Sequence, residues 1–181
     1  MEGLFDFAQD IGSALGWLLP ALCYIGGSWL LATGALGIVQ RSRQPLGFLT
    51  QPFVPELMIA VGATFLSFPE FLNAGNRTLG FDANAGLGAP AKVSFSTDAL
   101  ANAAKGGPLQ ALTAILTVWH SYFAAYGALI VYFGLVRQVG RAKGTNNSSP
   151  GLNMVMIVAG FMVMNADVIG PGLIRELKLT S

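Results

Sequence analysis

The sequence predicts an all-α fold: a polytopic membrane protein whose four transmembrane helices form two hairpins, preceded by a short interfacial helix. Three observations predict it. Of 181 residues, 53% are hydrophobic and only 10% charged, too few charges to cover a water-soluble domain of this size. Four apolar segments are long enough to cross or nearly cross a bilayer. Basic residues cluster in the short connections between them. The most apolar segment, residues 109–136, holds 28 residues without Lys, Arg, Asp, Glu or Pro. At about 1.5 Å per residue it exceeds the roughly 30 Å of hydrocarbon in a bilayer, so it tilts or projects. A buried helix of a soluble protein is the alternative for this segment alone, and three further apolar segments argue against it.

Residues 1–15 place Leu4, Ala8, Ile11 and Leu15 on one stripe, with Asp6 and Asp10 on another face. That pattern fits a short amphipathic helix lying in the membrane interface, or equally the frayed start of the first span. The acidic start lacks the basic n-region of a signal peptide, so the first span is expected to remain in the mature protein. Span one covers residues 16–39, with Trp17 at headgroup level, Pro20 in its first turns and Arg41 and Arg43 at its end. Cys23, the single cysteine, reads as a small packing residue; alone it builds neither a disulfide nor a four-ligand metal site.

Residues 44–55 form a proline-rich connection, and span two follows over residues 55–72, with Pro55 at its start and Pro69 expected to bend or end it near Phe68. Residues 73–108 are the sizeable polar stretch, expected to be an extracytoplasmic loop. Thr97 and Asp98 are placed to start a short helix through Lys105. Span three, residues 109–136, ends on Arg137, Arg141 and Lys143, and 144–151 is a turn. Span four runs over residues 152–169, terminated by Pro171 and Gly172, leaving the short tail 173–181. By segment, the chain divides into 1–15, a first hairpin 16–72, the loop 73–108, a second hairpin 109–172 and the tail.

Both short connections carry basic and no acidic residues, so the positive-inside rule puts both in the cytoplasm and the N-terminus, long loop and C-terminus outside. Sliding the chain by 98 positions superposes the two hairpins without a gap: Tyr24 on Tyr122, Arg43 on Arg141, Pro52 on Pro150, and Met58, Ile59 and Gly62 on Met156, Ile157 and Gly160. A parallel duplication and two hairpins sharing only membrane constraints both fit.

Ionisable groups in lipid are costly and need a partner or a purpose. Asp167 near the end of span four, Glu70 beside Pro69 and His120 in span three are the candidates for an ion or proton path, or for structural and assembly roles. Glu56, at the start of span two, is placed to meet Arg41, Arg43 or headgroups and suits the helix N-terminus. Glycines are the other candidates, since helices in lipid associate through close packing: Gly12 with Gly16, Gly34 with Gly37, and Gly62, Gly127, Gly134 and Gly160. No metal-ligand spacing, nucleotide-binding glycine pattern or catalytic constellation stands out, so no cofactor and no direct nucleic-acid binding are expected. One Cys and one His on different spans offer little to an intramembrane enzyme, and His120 lacks a second histidine for a haem.

With these basic turns, the glycine-rich spans and the passage FPEFLNAGNRTLGF over residues 68–81, the chain resembles the small hydrophobic inner-membrane proteins of type IVB secretion systems, the Dot/Icm and IncI conjugation group. The resemblance implies a bacterial inner-membrane component that helps build a transfer channel with other membrane subunits and performs no chemistry alone. The expectation is therefore a non-enzymatic subunit of a homo- or hetero-oligomer in lipid, with a small ion or solute transporter using Asp167, Glu70 and His120 as the alternative.

Overall fold

The computed structural model describes residues 2–43, 53–81 and 105–176, and these are all-α. Two helical stretches, Asp10–Arg43 and His120–Ala142, are long and apolar enough to cross a membrane; two bent helix pairs raise this to as many as four spans.

Helix α1, Glu2–Arg43, has 42 residues and is about 63 Å long at 1.5 Å per residue. Its buried positions are Gly12, Gly16, Leu19, Cys23, Gly27, Leu30, Gly34 and Gly37, spaced by fours and threes along one stripe. Small residues dominate that stripe, so neighbouring backbones approach closely. Trp17, Ile25, Trp29 and Leu36 cover the exposed side. The separate interfacial helix expected over residues 1–15 is not a distinct element, since α1 continues through Gly16. No proline interrupts it there, and Gly12 packs so closely on the helix that carries Tyr122 that a Cβ would stand 3.3 Å from the Tyr122 backbone. Pro20 is accommodated within the helix.

Helix α2, Val54–Leu66, and α3, Phe68–Thr78, meet at 93°. Pro69 lacks the N–H that would bond the Phe65 carbonyl, and its ring disfavours helical geometry just before it. The chain therefore breaks at Ser67, close to the expected place. Residues 73–78, expected in the loop, instead complete α3. The loop's remaining 82–104, with most of the expected 97–105 helix, lies outside the described residues, as does the turn 44–52.

Span three is divided, contrary to expectation: α4, Pro108–Val118, and α5, His120–Ala142, join at Trp119. Thr117, in the last turn of α4, donates its hydroxyl back to the Thr113 carbonyl at 2.8 Å. Helix α5 then runs beyond Val136 through Arg137 and Arg141, and Gly144 turns the chain with φ 71°. Helix α6, Pro150–Met164, and α7, Ala166–Glu176, meet at 83° about Asn165, which divides the fourth span as well. Pro171 and Gly172 do not end it. Pro171 sits inside α7, where it deprives the Asp167 carbonyl of a helical partner without stopping the helix.

The hairpins are built alike. In the first, a Cβ on either Gly27 or Gly62 would lie 2.9 Å from the other's carbonyl oxygen, and Gly34 faces the Pro55 carbonyl and Ile59. In the second, Gly127 and Gly160 oppose each other with corresponding separations of 2.5 and 2.7 Å, and Gly134 faces the Asn153 carbonyl and Ile157. Ile59, Gly62 and Ser67 map onto Ile157, Gly160 and Asn165 at a shift of 98, as expected. Gly27, Gly34 and Arg41 map onto Gly127, Gly134 and Arg141 at 100. The uniform shift of 98 is therefore two residues off the packing register of α1 and α5, because the second hairpin closes with a turn two residues shorter. Gly12 faces Tyr122 and Gly26 faces Tyr132, so α1 and α5 run in the same direction and the hairpins are parallel. Between them lies an apolar core including Met58, Phe65, Phe68, Leu72, Ala128, Val131 and Met164, with the Phe65 and Tyr132 rings stacked at 4.9 Å.

Candidate functional site

The helix breaks at Ser67, Trp119 and Asn165 all fall at the end of the bundle remote from the basic turns, and polar side chains gather there. Asn165 occupies the α6–α7 break fully buried. Its Nδ2 donates to the Phe161 carbonyl at 2.8 Å and to Asn76 Oδ1 at 2.9 Å. The first bond lets the side chain take over a helical acceptor at the break. The second joins the halves, since Asn76 is the fully buried end of a Phe68, Leu72, Asn76 stripe on α3. Alpha3 crosses above α6 so closely that a Cβ at Gly75 would collide with the Phe161 ring.

Two residues beyond the break, Asp167 stands in the first turn of α7, where the helix dipole favours a carboxylate. His120 opens α5, and its Nδ1 lies 3.0 Å from Asp167 Oδ2. That is ion-pair range, although Nδ1 lacks the alignment of a directed hydrogen bond. The two side chains are 36% and 25% exposed, although His120 Nδ1 and Asp167 Oδ1 themselves are buried. Asn165 Oδ1 and Asp167 Oδ1 are buried acceptors without a partner among the described residues. Chemically the cluster can hold a proton or shared water. Among the described residues no group of three His, Cys, Asp or Glu side chains could hold a metal ion.

A second polar cluster closes the other end of the second hairpin. Buried Asn153 donates Nδ2 to Gln138 Oε1 and to Ser148 Oγ, each at 3.0 Å. Arg141 donates to the Ser148 carbonyl. In the first hairpin the matching arginine, Arg41, pairs with Glu56 at 2.7 Å, so each hairpin is clamped across its turn by an arginine at the same packing position.

Of the residues singled out from sequence, Asp167 and His120 come together, and Glu56 meets Arg41. Gly34, Gly62 and Gly160 form the helix contacts, with Gly37 buried on the same α1 stripe. Glu70 is exposed on α3, outside the His120 pair. Arg43 is exposed, Lys143 is partly buried, and Arg137 has a buried Nε without a partner among the described residues. Sequence reasoning passed over Asn76, Asn153, Asn165 and Gln138. Asn153 and Asn165 carried a usable signal, being amides within an apolar run, where a buried amide must find a partner. Between the two polar clusters the buried side chains are apolar: Met58, Val61, Phe65, Ala128 and Val131.

No family model, curated protein or solved structure matches the chain. Its multi-pass membrane character therefore rests on the apolar helices themselves.

Proposed function

We propose that the chain is a non-enzymatic structural subunit of a bacterial inner-membrane assembly, a secretion or conjugative transfer channel of the type IVB class that the sequence resembles. The observation that carries this reading is the division of the interior. Buried polar groups at both ends tie helices to one another, and the span between is packed with glycine contacts and apolar side chains. Among the described residues a single copy so packed offers no polar route for a solute, so a part in transfer falls to an assembly of several chains. The long apolar outer side of α1 is available to lipid and to neighbouring subunits. Both basic turns face the cytoplasm in this reading, with both termini outside.

Purification in a gentle detergent, followed by native mass measurement, tests it: the chain migrates with further copies or with other membrane proteins. A stable monomer without partners overturns it.

The approach of His120 to Asp167 favours a second reading, a small ion or solute transporter. In a reconstituted system that carries flux, Asp167→Asn abolishes it under this reading; undiminished flux removes the reading's central residue.

A further inference from the structure

Alpha1 and α5 touch tightly near Gly12 and Tyr122, yet toward the basic turns they part and leave a trough of about 280 Å³. Gly26 and Trp29 form one wall, Tyr132 and Val136 the other, Phe65 of α2 contributes to the lining, and Lys143 lies at the end nearest the turn. Along α5 the trough extends from Tyr132 to Lys143, roughly 16 Å at the helical rise. A helix 10–12 Å across would fill several times this volume over that length, so no helix of a partner fits within it. An extended hydrocarbon chain does.

The end of the trough is charged. Lys143 is partly buried and has no acidic partner among the described residues. Glu56, the acidic residue of the neighbouring turn, is already paired with Arg41. Residues 137–151 contain no Asp or Glu. Thr145, also in the lining, spends its hydroxyl donor on the Gly140 carbonyl at 2.9 Å. An ammonium on an apolar stem, without a counter-charge and beside an open apolar trough, complements a phosphate attached to an acyl chain.

We propose that this trough is a binding site for one anionic phospholipid of the leaflet facing the basic turns. One acyl chain lies between α1 and α5, and the headgroup phosphate pairs with Lys143. The lipid fills the opening between the hairpins and fixes their separation at that end.

The test uses full-length protein in vesicles of phosphatidylcholine with a minor share of phosphatidylglycerol. Trp17→Phe and Trp119→Phe leave Trp29, at the lip of the trough, as the sole tryptophan fluorophore. Phosphatidylglycerol brominated on its chains is expected to quench Trp29 more strongly than brominated phosphatidylcholine at equal content. Lys143→Ala lowers the apparent preference about fivefold, the equivalent of roughly 1 kcal/mol for one basic residue near an anionic surface. Lys143→Arg retains it. Native mass spectra report the same preference as one retained phosphatidylglycerol per chain. Equal quenching by the two lipids in the parent protein overturns the proposal, as does an undiminished preference in Lys143→Ala. Disulfide formation between copies carrying Val136→Cys puts a second chain at the trough and overturns it too.

Discussion

A methyl group added at Gly127 would stand 2.5 Å from the Gly160 carbonyl oxygen and 2.6 Å from the Met164 nitrogen, both backbone atoms. Neither can move without moving α6, so the helices must part and lose dispersion contacts along their length. Gly127→Ala should destabilise the folded protein by about 1–3 kcal/mol, the usual scale of overpacking. Gly172→Ala, where a Cβ meets nothing within 4 Å, should leave stability unchanged or slightly raised; reversible unfolding in mixed micelles reads both. Equal losses at the two sites would remove the packing argument. The buried amide pair makes a different statement. A double-mutant cycle through Asn76→Ala and Asn165→Ala should give a coupling of about 0.6–1.7 kcal/mol, the range for buried polar contacts between membrane helices. A coupling of zero would mean that Asn165 serves only its own helix. Exposed Arg41 and Glu56, paired though they are, should yield less than about 1 kcal/mol when Glu56→Gln is measured in the same way.

At the scale of elements, the bent pairs decide how the second half of each hairpin meets the membrane. Alpha2 and α6 have 13 and 15 residues, about 20 and 22 Å, short of the roughly 30 Å of hydrocarbon. Alpha3 turns through 93° and buries Phe68, Leu72 and Asn76 while exposing Glu70, Ala74, Arg77 and Thr78. Two exposed charges exclude hydrocarbon as the medium on that side, so α3 should lie at headgroup depth. Spin labels at Ala74→Cys and Ser28→Cys, in a Cys23→Ser background, test this through their access to oxygen and to a water-soluble relaxer. Position 28 should report deep lipid and position 74 the interface; equal depth would make α3 a re-entrant segment. The first break was legible because Pro69 forces one. The break at Asn165 was not, because its side chain takes over the Phe161 carbonyl of its own helix while the partner that holds it there, Asn76, lies on another element. The His120 and Asp167 encounter was hidden for a related reason. The two residues sit on separate helices, and the turn at Asn165, whose angle no local pattern specifies, positions α7 beside the start of α5.

In the whole molecule, hairpin orientation follows from two independent physical arguments. The four apolar segments and both basic turns were legible from composition and spacing. The registers were not, since a gap-free shift hides a turn shortened by two residues and only the glycine contacts reveal it. Those contacts also set relative topology: α1 and α5 run parallel, so their basic ends, at Arg41 and Arg43 and at Arg141 and Lys143, must leave the same face of the membrane. In the proposed topology the side is chosen by charge: the second turn carries no carboxylate, the first keeps Arg43 in excess of the Arg41–Glu56 pair, and net basic turns are expected to stay in the cytoplasm. Asn147, exposed in the second turn, and Thr78, exposed at the other end of the bundle, are suited to single-cysteine labelling after Cys23→Ser. In intact cells with a permeable outer envelope, an impermeant maleimide should label Thr78→Cys and spare Asn147→Cys until the inner membrane is opened. The reverse pattern would invert the protein and put its cations on the far side. Labelling of both sites in intact cells would mean that the hairpins do not share one orientation, against the parallel contact of α1 with α5 at Gly12.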